Sequence, residues 1–182
     1  GFPDIVIGTG DPGFAGADIF LCNLGQRRFE RCTDQFIAPD SDHIMTRGHG
    51  AVFADINYDG FTDFFLNLGG HPPLDFAQKT DSRETNKLFV RQTEATANAA
   101  WLTLSGTNSN RDAIGARVRY GEGDQARYHY LRSTQGFQSQ NSMTLLLQLG
   151  DQESVPVIID WPSGSSTELT IASGERRNVV EQ

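Results

Sequence analysis

The chain of 182 residues contains no apolar run near the ~18–20 residues that a membrane-spanning helix needs, so no transmembrane span is expected. Lysine occurs only at Lys79 and Lys87, and the formal net charge is −8. A chain so acidic lacks the basic face that phosphate attraction requires, which excludes nucleic acid as an expected partner. Cysteine is limited to Cys22 and Cys32, which form no C-x-x-C pair, so zinc and thioredoxin-like chemistry are not expected. His43, His49, His71 and His129 show no i,i+4 metal spacing. Helical periodicity is scarce, and only Thr93–Ala100 reads as a short helix. The sequence opens at Gly1 with neither Met nor a signal pattern, as expected of a processed protein or an incomplete sequence.

What is present is glycine, 19 residues, and phenylalanine, 12. Strand candidates alternate with Gly- and Asp-rich loops: Asp4–Ile7, Ile19–Asn23, Phe29–Thr33, Gly50–Ala54, Phe64–Asn67 and Lys87–Arg91. His71–Thr85 reads as a long polar loop. Gly1-Phe2-Pro3-Asp4-Ile5-Val6-Ile7 aligns with Gly60-Phe61-Thr62-Asp63-Phe64-Phe65-Leu66, and Asp18-Ile19-Phe20-Leu21 aligns with Asn86-Lys87-Leu88-Phe89. Two such copies suggest propeller-blade-like repeats. From Ala99 the character changes. Seven period-two segments follow: Trp101–Leu104, Ala116–Tyr120, Arg127–Leu131, Met143–Leu149, Val155–Trp161, Ser166–Ile171 and Arg177–Val180. They read as a β-sandwich. The expected fold is therefore all-β, with partial repeats over residues 1–97 and a small sandwich over 98–182.

Cys22 and Cys32 fall on the two strands of one hairpin. A turn at Leu24–Arg27 sets Cys22 opposite Phe29 and Cys32 opposite Ile19, which sends the sulfurs to opposite faces. A bulge would bring them together as a disulfide. The alternative is two small buried hydrophobes.

The strongest chemical signal is Asp55-Ile56-Asn57-Tyr58-Asp59-Gly60-Phe61-Thr62-Asp63. Oxygen side chains at positions 1, 3 and 5 converge when the backbone curls around a cation, and Gly60 permits the turn. The Phe61 carbonyl and Asp63 complete an expected Ca²⁺ ligand set of Asp55, Asn57, Asp59, Phe61 and Asp63. Leu66 stands where an EF-hand has its Glu, so a strand–loop–strand site is expected. Mg²⁺ is disfavoured by its demand for short octahedral bonds. Asp59 or His49 would be the base if the site were catalytic, but a loop of this kind is expected to stabilise the fold. His43 beside Asp40 and Asp42 reads as a solvated acidic loop. Gly8-Thr9-Gly10-x-x-Gly13 is followed by no helix and so is not a dinucleotide fingerprint. Ser163 lies in no nucleophile elbow and reads as part of a turn. Arg111, Arg117, Arg119, Arg127 and Arg132 read as a solvated face. No catalytic residue is expected.

The run from Thr46-Arg47-Gly48-His49-Gly50 through Gly69-Gly70 resembles FG-GAP (VCBS-type) repeats. Trp101-Leu102-x-Leu104-x-Gly106-x-x-Ser109-Asn110-Arg111-x-Ala113-Ile114-Gly115-Ala116-Arg117-Val118 resembles the ASPIC/UnbV domain, as do Gly136-Phe137-x-Ser139-Gln140, Leu149-Gly150 and Trp161-Pro162-Ser163-Gly164. Together they resemble the C-terminal portion of cartilage-acidic-protein-like secreted proteins. The resemblance implies an extracellular or cell-surface, calcium-binding, β-rich protein without established catalysis. Within it, the first repeat begins at the Gly of its calcium loop, so Asp4 stands without its partners. The expected function is a non-enzymatic structural or adhesion module that self-assembles with other copies through strand edges, into a filament or larger assembly. An extracellular protein or glycan is the other expected partner. A carbohydrate-binding module using Trp101, Tyr128 or Tyr130, or an accessory protein of a secreted biosynthetic system, is the alternative.

Overall fold

The computed structural model describes residues 3–11, 14–33, 45–69, 84–91 and 96–182. Gly1, Phe2, Gly13, the Asp40–His43 loop, Gly70 and residues 71–83 and 92–95 lie outside the described residues. The chain forms two compact units that interleave in sequence. One comprises Gly1–Val52, Phe64–Phe89 and Gly136–Ser139; the other comprises Phe53–Asp63, Val90–Gln135 and Gln140–Gln182. The Asp55–Asp63 loop, expected within residues 1–97, thus packs with the sandwich-forming unit.

Nine strands carry the repeats, and all lie in the first unit except the last two residues of β7 and the first of β8: β1 (Ile5–Ile7), β2 (Gly10–Asp11), β3 (Phe14–Ala17), β4 (Ile19–Gly25), β5 (Arg28–Arg31), β6 (Met45–Thr46), β7 (Gly48–Ala54), β8 (Asp63–Leu68) and β9 (Lys87–Phe89). They form sheets in the orders β1-β4-β5, β2-β3-β6 and β7-β8-β9. The short strands β2, β3 and β6 were not expected, because Gly-rich segments of this length carry no period-two signal.

The repeat read from the sequence reappears in the strand pairing. Ile5, Val6 and Ile7 pair with Leu21, Phe20 and Ile19. Their aligned counterparts Phe64, Phe65 and Leu66 pair with Phe89, Leu88 and Lys87. Two side-chain hydrogen bonds recur at equivalent places. The Asn23 N–H donates to Asp4 Oδ1 (2.8 Å), and the Arg91 N–H to Asp63 Oδ1 (3.0 Å). The Thr9 N–H donates to Asp18 Oδ1 (3.1 Å), and the Leu68 N–H to Asn86 Oδ1 (2.9 Å). A carboxylate or amide at the start of each strand, or just before it, thus captures a backbone donor that the ladder leaves unpaired.

The cysteine hairpin corrects the expected register. Gln26 and Arg27 form the tight turn with φ of 50° and 63°, the left-handed pair that suits a two-residue hairpin. Leu24 is bulged out between Asn23 and Gly25, and Cys22 pairs with Glu30. This one-residue slip moves the diagonal neighbours Cys22 and Cys32 onto one face, and they form a disulfide with Cα atoms 5.9 Å apart.

The second unit holds β10 (Ala99–Ser105), β11 (Arg117–Tyr120), β12 (Arg127–Tyr130), β13 (Leu145–Gln148), β14 (Ser154–Asp160), β15 (Ser166–Ala172) and β16 (Arg176–Val180). These correspond to the seven expected strands. They form two sheets, β13-β10-β16 and β12-β11-β14-β15. Alternation builds the core. Val118 and Tyr120 of β11 point inward while Arg117 and Arg119 face out, and the inward set joins Leu102, Leu104, Leu147, Val157, Ile159 and Ile171 in one cluster. Residues 96–98 are irregular and Ala99 and Ala100 are strand, not helix. Both alanines are fully buried and pair with Gln148 and Leu147, so tertiary packing overrides alanine's helical preference. Tyr128 and Tyr130 are about half exposed; the odd-numbered face of β11 and its partner residues on β12 turn to solvent.

Candidate metal loop and neighbouring sites

The Asp55–Asp63 loop is tied by its own side chains. Asp55 Oδ1 accepts the Asp59 N–H (3.2 Å), and Oδ2 accepts the Gly60 N–H (2.9 Å). Asn57 Oδ1 accepts the Asp59 N–H (3.3 Å), while its amide donates to Asp59 Oδ2 (3.0 Å). Asp59 Oδ1 accepts the Phe61 N–H (2.8 Å). These short-range bonds stabilise a curl in which Tyr58 and Gly60 have φ of 59° and 83°. A bulky residue at positive φ is an outlier that the surrounding loop must impose.

Asp55, Asn57 and Asp59 therefore come together. Asp63, only 1% exposed, serves a different pair of donors: the Ile56 N–H on Oδ2 (3.0 Å) and the Arg91 N–H on Oδ1 (3.0 Å). The Phe61 ring carries the Arg91 guanidinium 3.7 Å from its centroid. Among the described residues no three Asp, Glu, His or Cys side chains converge as a metal-holding group. The donor chemistry still fits a hard cation: three carboxylates, an amide oxygen and a carbonyl, with no sulfur or imidazole. Each ionised carboxylate offers about four acceptor positions, so the N–H bonds leave lone pairs on Asp59 and Asp63 for such an ion. His49, considered as a base, pairs its Nε2 with the Gly69 carbonyl.

Asp55 also fastens the loop to the sandwich. Its Oδ2 accepts the Trp101 indole N–H (2.9 Å). The Tyr58 ring meets the Trp101 ring edge-on at 5.6 Å, and the Asp59 carbonyl accepts the Ala97 N–H (2.9 Å). Asp55 was read from the sequence only as a ligand; its second role depends on a contact 46 residues away.

Sequence reasoning missed Glu181. Its side chain is 2% exposed and lies in a nest of donors. Oε2 accepts the N–H groups of Thr107 (2.9 Å), Asn108 (2.9 Å) and Ser109 (2.7 Å). Oε1 accepts the hydroxyls of Ser109 (2.8 Å) and Ser163 (2.5 Å). Desolvation pushes the carboxyl pKa up, but the bonds from Ser163, Ser109 and Thr107 outweigh it and hold the pKa at about 2. A carboxylate so weakly basic is a poor proton acceptor for Ser163; the cluster clamps the 107–109 loop and the 163 turn to the end of β16. The sequence signal was the recurrence of Ser and Thr in both turns, which carried no hint of a shared acceptor.

Residues 106–182 match the family model described as ASPIC and UnbV. The match takes in the Gly106–Val118 motif, the Trp161-Pro162-Ser163-Gly164 turn and Glu181. A search of curated proteins returned no match.

Proposed function

We propose that the chain is a non-enzymatic, extracellular structural module, stabilised by Ca²⁺ at Asp55, Asn57, Asp59, Asp63 and the Phe61 carbonyl, whose FG-GAP-type repeats join it to other copies of itself. The metal part rests on the oxygen-only donor set and on Asp55, which links the loop to Trp101 of β10. The disulfide suits an oxidising compartment.

One observation carries the association. In the second repeat Phe64 and Leu66 are buried, at 8% and 0% exposed, and Phe64 packs on Phe20 of the first repeat with ring centroids 5.3 Å apart. The residues that correspond to Phe64 and Leu66 in the first repeat, Ile5 and Ile7, are about 40% exposed. The residue that corresponds to Phe20 in the second repeat, Leu88, is 53% exposed. Each exposed face is half of an interface already used once inside the chain. Leu88 of one copy against Ile5 and Ile7 of the next would repeat it, a head-to-tail contact that need not close.

Calcium should raise the melting temperature by mass action on the folded state, at millimolar metal if the site has the ~10⁻⁴–10⁻³ M affinity of extracellular modules. Asp59→Ala should abolish that rise. Equal melting curves with calcium and with chelator would refute the metal reading. Sedimentation should show self-association that Leu88→Asp suppresses. A monomer at high micromolar concentration, in calcium, refutes the association and leaves the metal reading standing.

A further inference from the structure

The outer face of the β13-β10-β16 sheet holds an open cleft of about 250 Å³, and we infer that it binds an acidic saccharide, recognised through Arg176. This goes beyond the structural role above and does not depend on self-association.

Strand register assembles the cleft. Parallel pairing sets Trp101 beside Arg176 and Thr103 beside Asn178. These residues alternate with the core-facing Leu102, Leu104 and Val179, so all four point away from the core. Thr144 closes one side, its hydroxyl 3.1 Å from that of Thr103. Tyr58 forms the remaining wall; the loop network holds it at positive φ, with its ring against Trp101.

Arg176 is the informative residue. Its guanidinium lies 3.7 Å over the Tyr58 ring and 5.5 Å from Trp101. Among the described residues it makes no ion pair. Its neighbour Arg177 is engaged by Glu175 (2.6 Å) and the Thr170 carbonyl (2.9 Å). Stacking on an aromatic face holds a guanidinium flat and leaves its N–H fork free at the edge, in the geometry that receives a carboxylate bidentately. In a chain of net charge −8, an arginine without a carboxylate partner, shelved on two aromatic rings, is a feature that selects an anion.

The rest of the lining identifies the kind of anion. Thr103, Thr144 and Asn178 offer hydroxyl and amide groups in a row. Asn178 Oδ1 accepts the Ser105 hydroxyl (3.2 Å), which leaves its amide hydrogens for a ligand. Alternating hydroxyls on a sugar ring match such a row; of the two arginines that line the cleft, Arg177 is held by Glu175 and the Thr170 carbonyl, so the Arg176 guanidinium matches one carboxylate per ring. The cleft has room for one such ring, with the half-exposed Tyr58 as an apolar edge. A uronate unit meets all of these demands.

The test is calorimetric titration of the full chain, in calcium, with a galacturonate trisaccharide. Neutral maltotriose and inorganic sulfate are run in parallel. The uronate should bind, and Arg176→Ala should weaken it roughly tenfold to a hundredfold, the range for hydrogen bonds to a charged group. Arg176→Lys should fail to restore it, because an ammonium cannot make the fork. Arg111→Ala should leave binding unchanged, since Arg111 is already paired with Asp112. Four results overturn the inference: no heat at 10 mM uronate, equal binding of maltotriose, equal binding of sulfate, or full affinity in Arg176→Ala. Arg176 is exposed at the sheet surface, so the variant keeps the fold, which an unchanged melting temperature verifies.

Discussion

Replacing Cys22 and Cys32 by alanine should loosen one hairpin and leave the sandwich alone. The two cysteines are 10 residues apart in sequence. Loop-closure entropy for a cross-link of that span is about 9 cal/mol/K, or about 2.7 kcal/mol at room temperature. The bridge spans β4 and β5, whose bulge at Leu24 already weakens the ladder, so the loss should appear as local opening rather than global unfolding. Hydrogen exchange resolves the two. The Cys32 N–H, bonded to the Phe20 carbonyl at 2.9 Å, should exchange roughly a hundredfold faster in the double variant, since each 1.4 kcal/mol is about a factor of ten. Amides of β10 and β14, in the other unit, should not change. Acceleration below about threefold at Cys32, or equal acceleration in β10, would show that the bridge does not act by restraining this hairpin.

Leu102, fully buried in the sandwich core, should cost about 2–5 kcal/mol on truncation to alanine; a loss under ~1 kcal/mol in urea unfolding would contradict the core assignment. Gly60→Ala should destabilise the loop by at least ~1 kcal/mol, because φ is +83° and a Cβ would lie 2.9 Å from the Ala97 carbonyl oxygen; an unchanged melting temperature would count against this geometry. Glu181 should make stability depend on acid. Its folded pKa is depressed to about 2 from an ordinary 4.5, so its stabilisation is complete above pH 4.5 and is lost as pH falls toward 2. Glu181→Gln should flatten that part of the melting-temperature profile, and parallel profiles for the two proteins would exclude the clamp.

The legible part of the fold was the part with period-two alternation. Seven strands after Ala99 could be read because each buries one face, as Val118 and Tyr120 do between exposed arginines. The repeat was legible because Asp4 and Asp63 stand at aligned positions, and both capture a backbone N–H across the sheet. The cysteine register was not legible: whether the turn occupies Gln26–Arg27 or starts at Leu24 depends on a single bulge, and one residue inverts the face. At the Asp55–Asp63 loop the sequence supplied the oxygen donors but not their allegiances. Asp63 serves Ile56 and Arg91, and Asp55 serves Trp101, because each has a long-range donor within reach. Glu181, Arg176 and Tyr58 gave no local pattern; their partners meet only after β10 and β16 pair.

That parallel pairing of β10 with β16 sets an order of events. Leu102 lies beside Arg177, and about 75 residues must leave the ribosome between them, roughly 4–15 s at ordinary rates of synthesis. During that interval β10 has one flank covered by β13 at most, and its other flank is an exposed row of backbone donors and acceptors. Trp101, beside that open flank, then lacks Arg176 above it, and Ser109 and Ser163 wait for the Glu181 carboxylate. β16 thus completes the β13-β10-β16 sheet, the cleft and the clamp together. Premature termination before Arg176 would release a chain with most of its core residues present but one sheet edge unsealed, a substrate for quality control rather than a smaller working domain.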